Sequence, residues 1–391
     1  MTPISWQDAR AAVHAAGAKV AAGRPSVAVP LAEADGLTLA GPLVARTPLP
    51  AFPTSSIDGY AVRGAGPWKV TGRILAGRPA APLTDDGTCV EIATGAMVPE
   101  GTTTILRVED ATVSALVEGT PRAPREWRDV GEECAAGEEL LPAGTTVTPG
   151  VLGLAASCGY DELAVVPAPR VATIVFGDEL LTAGDPGDGR VRDALGPQVP
   201  GWLRRLGAVP APPVGPVPDT LEAHVDALRS AVETGADVIC TTGGTMRGPV
   251  DHLHPALAAL DAEYVVNQVA VRPGFPMLVA ALPDGRFVAG LPGNPQSAIV
   301  ALVSLVVPLL AGLTGRPLPV LSPVTLGAGV PGRGDYTHLA LVAQDPAGTY
   351  SPLPHAGSSM LRGLSRAAGF AVIPPRSEGT SGATAALVPL P

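Results

Sequence analysis

The chain has 391 residues, 46% hydrophobic but only 4% aromatic, with 47 glycines, 44 prolines and a net charge of −10. That length exceeds one ordinary core and predicts about three domains, and the composition describes a globular protein of many short elements and sharp turns. The acidic balance argues against nucleic acid or an anionic membrane surface as the main partner, because either favours a basic face.

Of the 26 basic residues only Lys19 and Lys69 are lysines, so any anionic ligand must be met by local arginine charge. Cys89, Cys134, Cys158 and Cys240 are far apart and form no C-x-x-C pair, which speaks for isolated buried thiols rather than a zinc or redox motif. No N-terminal stretch joins a basic start to an apolar core. The apolar run 298–313 holds Ser304 and Pro308 and is short for a membrane span, so a soluble, cytoplasmic protein is expected.

Along the chain, residues 5–20 carry Trp6, Ala11, Val13, Ala16 and Val20 among polar residues, which predicts an amphipathic packing helix with Ser5 as N-cap and Gly23 near its end. Residues 47–53 are too proline-rich for a helix or a central strand and mark a boundary. Residues 60–140 are rich in Val, Ile and Thr, with turns at Gly66-Pro67, Asp86-Gly87 and Pro99-Glu100-Gly101, and predict a β-rich insert. A small helix is predicted at 151–156.

From Arg170 the pattern alternates: 171–176 apolar, 198–206 helical, 209–217 extended, 221–232 helical, 237–240 apolar. Such alternation predicts a parallel sheet with helices on both faces, and sheets of that kind bind ligands at the carboxyl ends of their strands. The tail past Gly315-Arg316-Pro317 is Val-, Thr-, Pro- and Gly-rich and predicts a terminal β domain, with helical periodicity only near 359–368.

Two segments carry the chemistry. The apolar run 237–240 feeds into Thr242-Gly243-Gly244-Thr245-Met246-Arg247-Gly248-Pro249-Val250-Asp251, a glycine-rich loop whose N–H groups are suited to cradle an anion beside Asp251. The run 287–291 likewise enters Pro292-Gly293-Asn294-Pro295-Gln296-Ser297 and a helix-like stretch. Two strand–loop–helix units suggest one phosphate-bearing ligand held between them.

In order along nearly the whole chain, the motifs resemble those of the molybdopterin molybdenumtransferase family, the insertases that include bacterial MoeA and the E domain of gephyrin. The carriers are Pro50-Ala51-Phe52-Pro53-Thr54-Ser55-Ser56-Ile57-Asp58-Gly59-Tyr60-Ala61, Thr94-Gly95-Ala96-Met97-Val98-Pro99-Glu100-Gly101, Gly177-Asp178-Glu179-Leu180, the 242–251 loop, Arg272-Pro273-Gly274-Phe275-Pro276 and residues 290–297. The resemblance implies an α/β protein with additional β-rich domains. Its parts are a MogA-like parallel-sheet core at 169–317, a linking domain from 1–47 and 140–168, a β-rich insert at 48–139 and a C-terminal β domain at 318–391.

It also implies insertion of molybdate-derived molybdenum into adenylylated molybdopterin with AMP release. Mg2+ or Zn2+, a homodimer and a molybdopterin adenylyltransferase partner belong to the same implication. Carried over residue by residue, Asp251, Glu179, Asp219 and Asp58 are the catalytic acids, with Glu179 and Asp251 as metal ligands and Asp58 acting from the second subunit. Glu133 stands where an aspartate is usual. Thr242, Gly243, Gly244, Arg247, Gly248, Arg272, Pro292, Gly293, Asn294 and Ser297 would hold phosphates and pterin. Read from the residues alone, Asp58 is also a turn residue, Glu179 a helix-start acid, Asp219 an N-cap to the helix from Leu221, and His252 and His254 loop polar residues.

Beside the conservative changes at Glu133, Thr242 and Arg272, the chain departs from the pattern at four places. Phe176 stands where a hydroxyl-bearing residue precedes Gly-Asp-Glu, Asp193-Ala194-Leu195 replaces D-S-N or D-T-N, Met246 replaces a serine, and Phe275 replaces the second lysine of K-P-G-K-P. Met246 cannot donate a hydrogen bond, and Arg247 is a candidate to restore the lost positive charge. Two uncompensated charge-assisted hydrogen bonds would weaken binding about a hundredfold or more. The departures therefore admit a non-catalytic paralogue, or an enzyme with a shifted substrate, beside the insertase.

Overall fold

The computed structural model describes residues 3–391 apart from 123–124, 247 and 249–250. The chain divides into one unit of Met1–Val27, Gly36–Ala40 and Ala164–Pro391 and another of Ala28–Asp35 and Gly41–Leu163.

The larger unit is built on a seven-stranded sheet. Its order is Val209–Pro210, Arg170–Phe176, Val238–Thr242, Phe287–Leu291, Leu278–Ala281, Glu263–Asn267, with Val214–Val217 also paired to Arg170–Phe176. The strands as far as Phe287–Leu291 are parallel, as alternation predicted. The remaining two are antiparallel, so the sheet is mixed. The reason is local: residues 282–286 are too few for a crossover and turn the chain straight back, with Gly285 at φ 85.

Val238–Thr242 and Phe287–Leu291 are buried at every position, as strands covered on both faces must be. Alternate residues serve opposite layers. Val238, Cys240, Phe287 and Ala289 pack with Leu203, Leu305 and Leu309 on one face, and Ile239 and Val288 with Leu228, Leu253 and Leu257 on the other.

Among the described residues, Pro295–Leu313 is the one helix long and apolar enough to cross a bilayer, and 94% of an 18-residue window in it is buried inside the protein. It is a core helix. Pro308 has no N–H to give, and the helix widens into a π-turn over Leu302–Val306 just before it. The N-terminal helix Trp6–Ala21, capped by the Ser5 hydroxyl, lies against it. Trp6 Nε1 donates to Ser304 Oγ at 2.8 Å, and a β-carbon on Gly312 would stand 2.2 Å from the His14 carbonyl, so only glycine allows the two backbones so close.

The tail forms a second seven-stranded sheet, but not alone. Ile4–Ser5 and Val269–Arg272 join Thr337–Gln344, Gly369–Ile373, Thr384–Pro389, Ser322–Thr325 and Tyr350–Pro352. Val269–Arg272 runs parallel to Thr337–Gln344, with Arg272 opposite His338. The periodicity near 359–368 yields only a 3-10 turn, Leu364–Arg366, and the carbonyls of Ala356 and Ser358 just before it accept from the start of the long helix.

In the smaller unit, Lys69–Ile74, Thr88–Ile92, Gly59–Arg63 and Thr104–Arg107 form a four-stranded sheet, the β-rich insert predicted. Pro149–Ser157 is the small helix, capped by Thr148.

Candidate active site

Val238–Thr242 ends in two glycines at φ 87 and 66, a left-handed pair that turns the chain sharply away from the sheet. A β-carbon on Gly243 would also meet the Phe176 carbonyl at 3.2 Å. The loop opens into a cleft of about 1690 Å³, whose far wall comes from the C-terminal sheet. Of the residues singled out in the sequence, Glu179, Asp219, Thr242, Gly243, Gly244, Asp251, Arg272, Pro292, Gly293, Asn294 and Ser297 line it. Gly248 lies beside it, its N–H donating to Asp251 Oδ2 at 2.7 Å. Arg247 lies outside the described residues.

The structure decides between readings that the sequence left open. The helix Leu221–Glu233 is capped by Thr220, which accepts from Ala223 N, so Asp219 is free of that task. Its Oδ2 accepts instead from Asp178 N at 3.3 Å, and its side chain is 18% exposed. Glu179 starts no helix: it is an exposed residue between Arg170–Phe176 and the short strand Leu180–Leu181. His254 is structural, its ring placed between Tyr264 Oη at 2.7 Å and the Thr245 carbonyl at 3.2 Å. In the smaller unit, the exposed Asp58 accepts from the N–H and hydroxyl of Thr94 at 2.7 and 3.1 Å.

The four departures are not alike. Phe176 is buried and stacks on His224, with ring centroids 3.6 Å apart and 12° between the planes. His224 is fully buried, and burial pushes its pKa below the usual 6.5 despite Asp219 Oδ1 at 3.6 Å from Nε2. Phe275 lines the cleft and lies close to Arg272 and Tyr336. Met246 is 54% exposed at its rim. Asp193 accepts from Leu195 and Gly196 N–H at 2.9 Å, and Leu195 is core.

The second loop behaves differently from what its pattern suggested. At the start of the helix from Pro295, Gln296 N and Ser297 N both donate to the Ser358 carbonyl, at 2.9 and 3.2 Å. These N–H groups therefore have a protein partner, and the anion site expected there is partly filled by the 356–361 segment. Sequence reasoning missed that segment, as it missed Arg333, Tyr336 and His338, which also line the cleft. The signal was the glycine-bracketed run Gly332-Arg333-Gly334-Asp335-Tyr336 in a tail otherwise built of short strands.

A glycine loop and three carboxylates on the loops that follow parallel strands of the α/β sheet, with Arg272 brought to the same cleft by the tail sheet, define a ligand-binding α/β protein suited to a phosphate-bearing molecule. Residues 172–312 match the probable molybdopterin binding domain, 4–159 the MoeA N-terminal region (domain I and II) and 324–390 the MoeA C-terminal region (domain IV). The chain belongs to the molybdopterin molybdenumtransferase family, transferases of molybdenum cofactor biosynthesis. It is 34% identical to molybdopterin molybdenumtransferase 2 of Mycobacterium tuberculosis, over 89% of this chain and 91% of that one. It is 31% identical to the molybdopterin molybdenumtransferase of Staphylococcus aureus, over 74% and 72%. The fold is that of the molybdopterin biosynthesis MoeA protein of Pyrococcus horikoshii OT3, with a TM-score of 0.81 at 21% identity over 99% and 100% of the chains.

Proposed function

We propose that the protein inserts molybdate-derived molybdenum into adenylylated molybdopterin in this cleft, releasing AMP. The observation that carries the proposal is the meeting of Glu179, Asp219, Asp251, Arg272 and the glycine pair in one cleft. Hydrolysis adds one water across the phosphoanhydride, giving AMP and a molybdopterin phosphate, and molybdate joins the two dithiolene sulfurs through two Mo–S bonds as one of its oxygens leaves with the two thiol protons as water, with no change of oxidation state. Arg272 and the N–H groups of the 242–251 loop neutralise phosphate charge; Asp219 and Asp251 orient the water and take its proton.

Among the described residues no three His, Cys, Asp or Glu side chains converge on one point. Zn2+ would therefore need substrate, water or the second subunit to complete its ligand set. Mg2+ needs only one or two carboxylates beside substrate phosphates, and Glu179 and Asp251 both line the cleft. When bound there it would neutralise charge on the phosphates. The exposed Asp58, held by Thr94, completes the site from the second subunit of a homodimer in this reading. Family membership and the retained carboxylates favour an enzyme over a non-catalytic paralogue.

A single-turnover assay with adenylylated molybdopterin, Mg2+ and molybdate tests this, following AMP release and cofactor transfer to an apo-molybdoenzyme. The expected result is stoichiometric AMP and active enzyme. Binding without AMP release points to the paralogue.

A further inference from the structure

Phe275 stands where the pattern has a lysine, and its surroundings give it a different task. Arg272 is exposed in the cleft, and its guanidinium makes no ion pair or hydrogen bond with the described residues. It is not loose. Its Cζ lies 5.1 Å from the Phe275 ring centroid and 4.6 Å from that of Tyr336, and the two rings meet edge to face at 5.9 Å and 78°.

Two backbone features make this cluster. Gly274, at φ 103, turns the chain tightly so that Phe275 returns beside Arg272. The parallel pairing of Arg272 with His338 brings up Tyr336, two positions earlier on the facing segment. A guanidinium held against two rings loses rotamer freedom that an exposed arginine otherwise keeps, while giving no hydrogen bond to a protein acceptor that would compete with an oxyanion.

We propose that Phe275 and Tyr336 are positioning residues that fix the Arg272 guanidinium for an oxyanion in the cleft, Phe275 replacing a second cation by pre-organising the first. This rests on the reading of Arg272 as a ligand of the anionic substrate. Pre-organisation strengthens binding by cutting the ordering cost rather than by adding a contact.

The test has two arms. In the ligand-free protein, 15N relaxation of the Arg272 Nε–H group, assigned by its loss in Arg272→Lys, should show an order parameter of about 0.8. It should fall below about 0.6 in Phe275→Leu and return in Phe275→Trp. Titration with adenylylated molybdopterin should give about a fivefold weaker Kd for Phe275→Leu, near-wild-type affinity for Phe275→Trp, and no effect of Phe275→Leu in an Arg272→Ala background. A mobile Arg272 in the wild type, or equal behaviour of the Leu and Trp variants, overturns the proposal. Failure of the wild type to bind that ligand counts against the proposed function, while the relaxation arm still decides whether the rings hold Arg272.

Discussion

The two glycine loops have the same local grammar, a buried strand, a glycine turn and a helix, yet the protein uses them differently. After Val238–Thr242 the chain takes two consecutive positive-φ glycines, and Asp251 closes back on Gly248 N at 2.7 Å. After Phe287–Leu291, two of the helix N–H groups meet the Ser358 carbonyl instead of a ligand. An open helix N-terminus is a property of tertiary surroundings as much as of sequence, because any nearby carbonyl competes with an anion for those donors.

The largest expected effect separates the loops by chemistry. Asp251→Ala should slow single-turnover AMP release by about a hundredfold or more, the range lost with a positioned proton acceptor. A loss under about threefold would take the first loop out of the reaction.

Backbone substitutions should show the same asymmetry. Gly243→Ala, at φ 87 and with the Phe176 carbonyl 3.2 Å from the new β-carbon, should cost about 1–2 kcal/mol in urea unfolding and lower AMP release with it. Gly293→Ala meets nothing closer than Gly243 Cα at 3.6 Å and should stay within about 0.5 kcal/mol. Equal costs would erase the distinction. Gln296 ties the second loop to the tail by donating from Nε2 to the Ala356 carbonyl at 2.9 Å. Gln296→Ala should cost about 1 kcal/mol and speed amide exchange in 354–363; unchanged exchange would mean that Gln296 does not hold that segment in place.

Smaller effects follow behind the first loop. His224 is held below its usual pKa of 6.5 by burial, so the unfolded chain takes up its proton first as pH falls. Its contribution to stability is complete above pH 6.5 and is lost as pH drops from there toward the folded-state pKa. His224→Phe, which keeps a ring against Phe176, should flatten the fall of the urea midpoint between pH 7 and 5; His338, lowered by burial too, accounts for part of what remains. A pH profile identical to the wild type would show that His224 titrates alike in both states. Met246→Ser, at a rim position 54% exposed, should leave stability within about 0.5 kcal/mol.

Most of the architecture was legible because it depends on local pattern. The Ser5 cap, the small helix near 151–156, the alternation from Arg170 and both glycine turns stand in the sequence where the structure uses them. The motifs likewise pointed to Glu179, Asp219 and Asp251, and the sheet carries them to one cleft. What stayed hidden depends on partners distant in sequence. The antiparallel edge follows from a short turn, and the recruitment of Ile4–Ser5 and Val269–Arg272 into the tail sheet follows from long-range pairing. Phe176 and Phe275 read as plain losses until His224 and Tyr336 were found against them. A substitution that removes a polar group can be judged only with its new neighbour in view.

In the proposed function, adenylylated molybdopterin occupies this cleft between the first glycine loop and the tail sheet. Hydrogen–deuterium exchange of the wild-type protein with and without that ligand tests it most directly. A ligand in the cleft should add protection in 242–251, 272–277 and 330–338 together. Protection confined to other segments, or none at ligand concentrations that support AMP release, would contradict it.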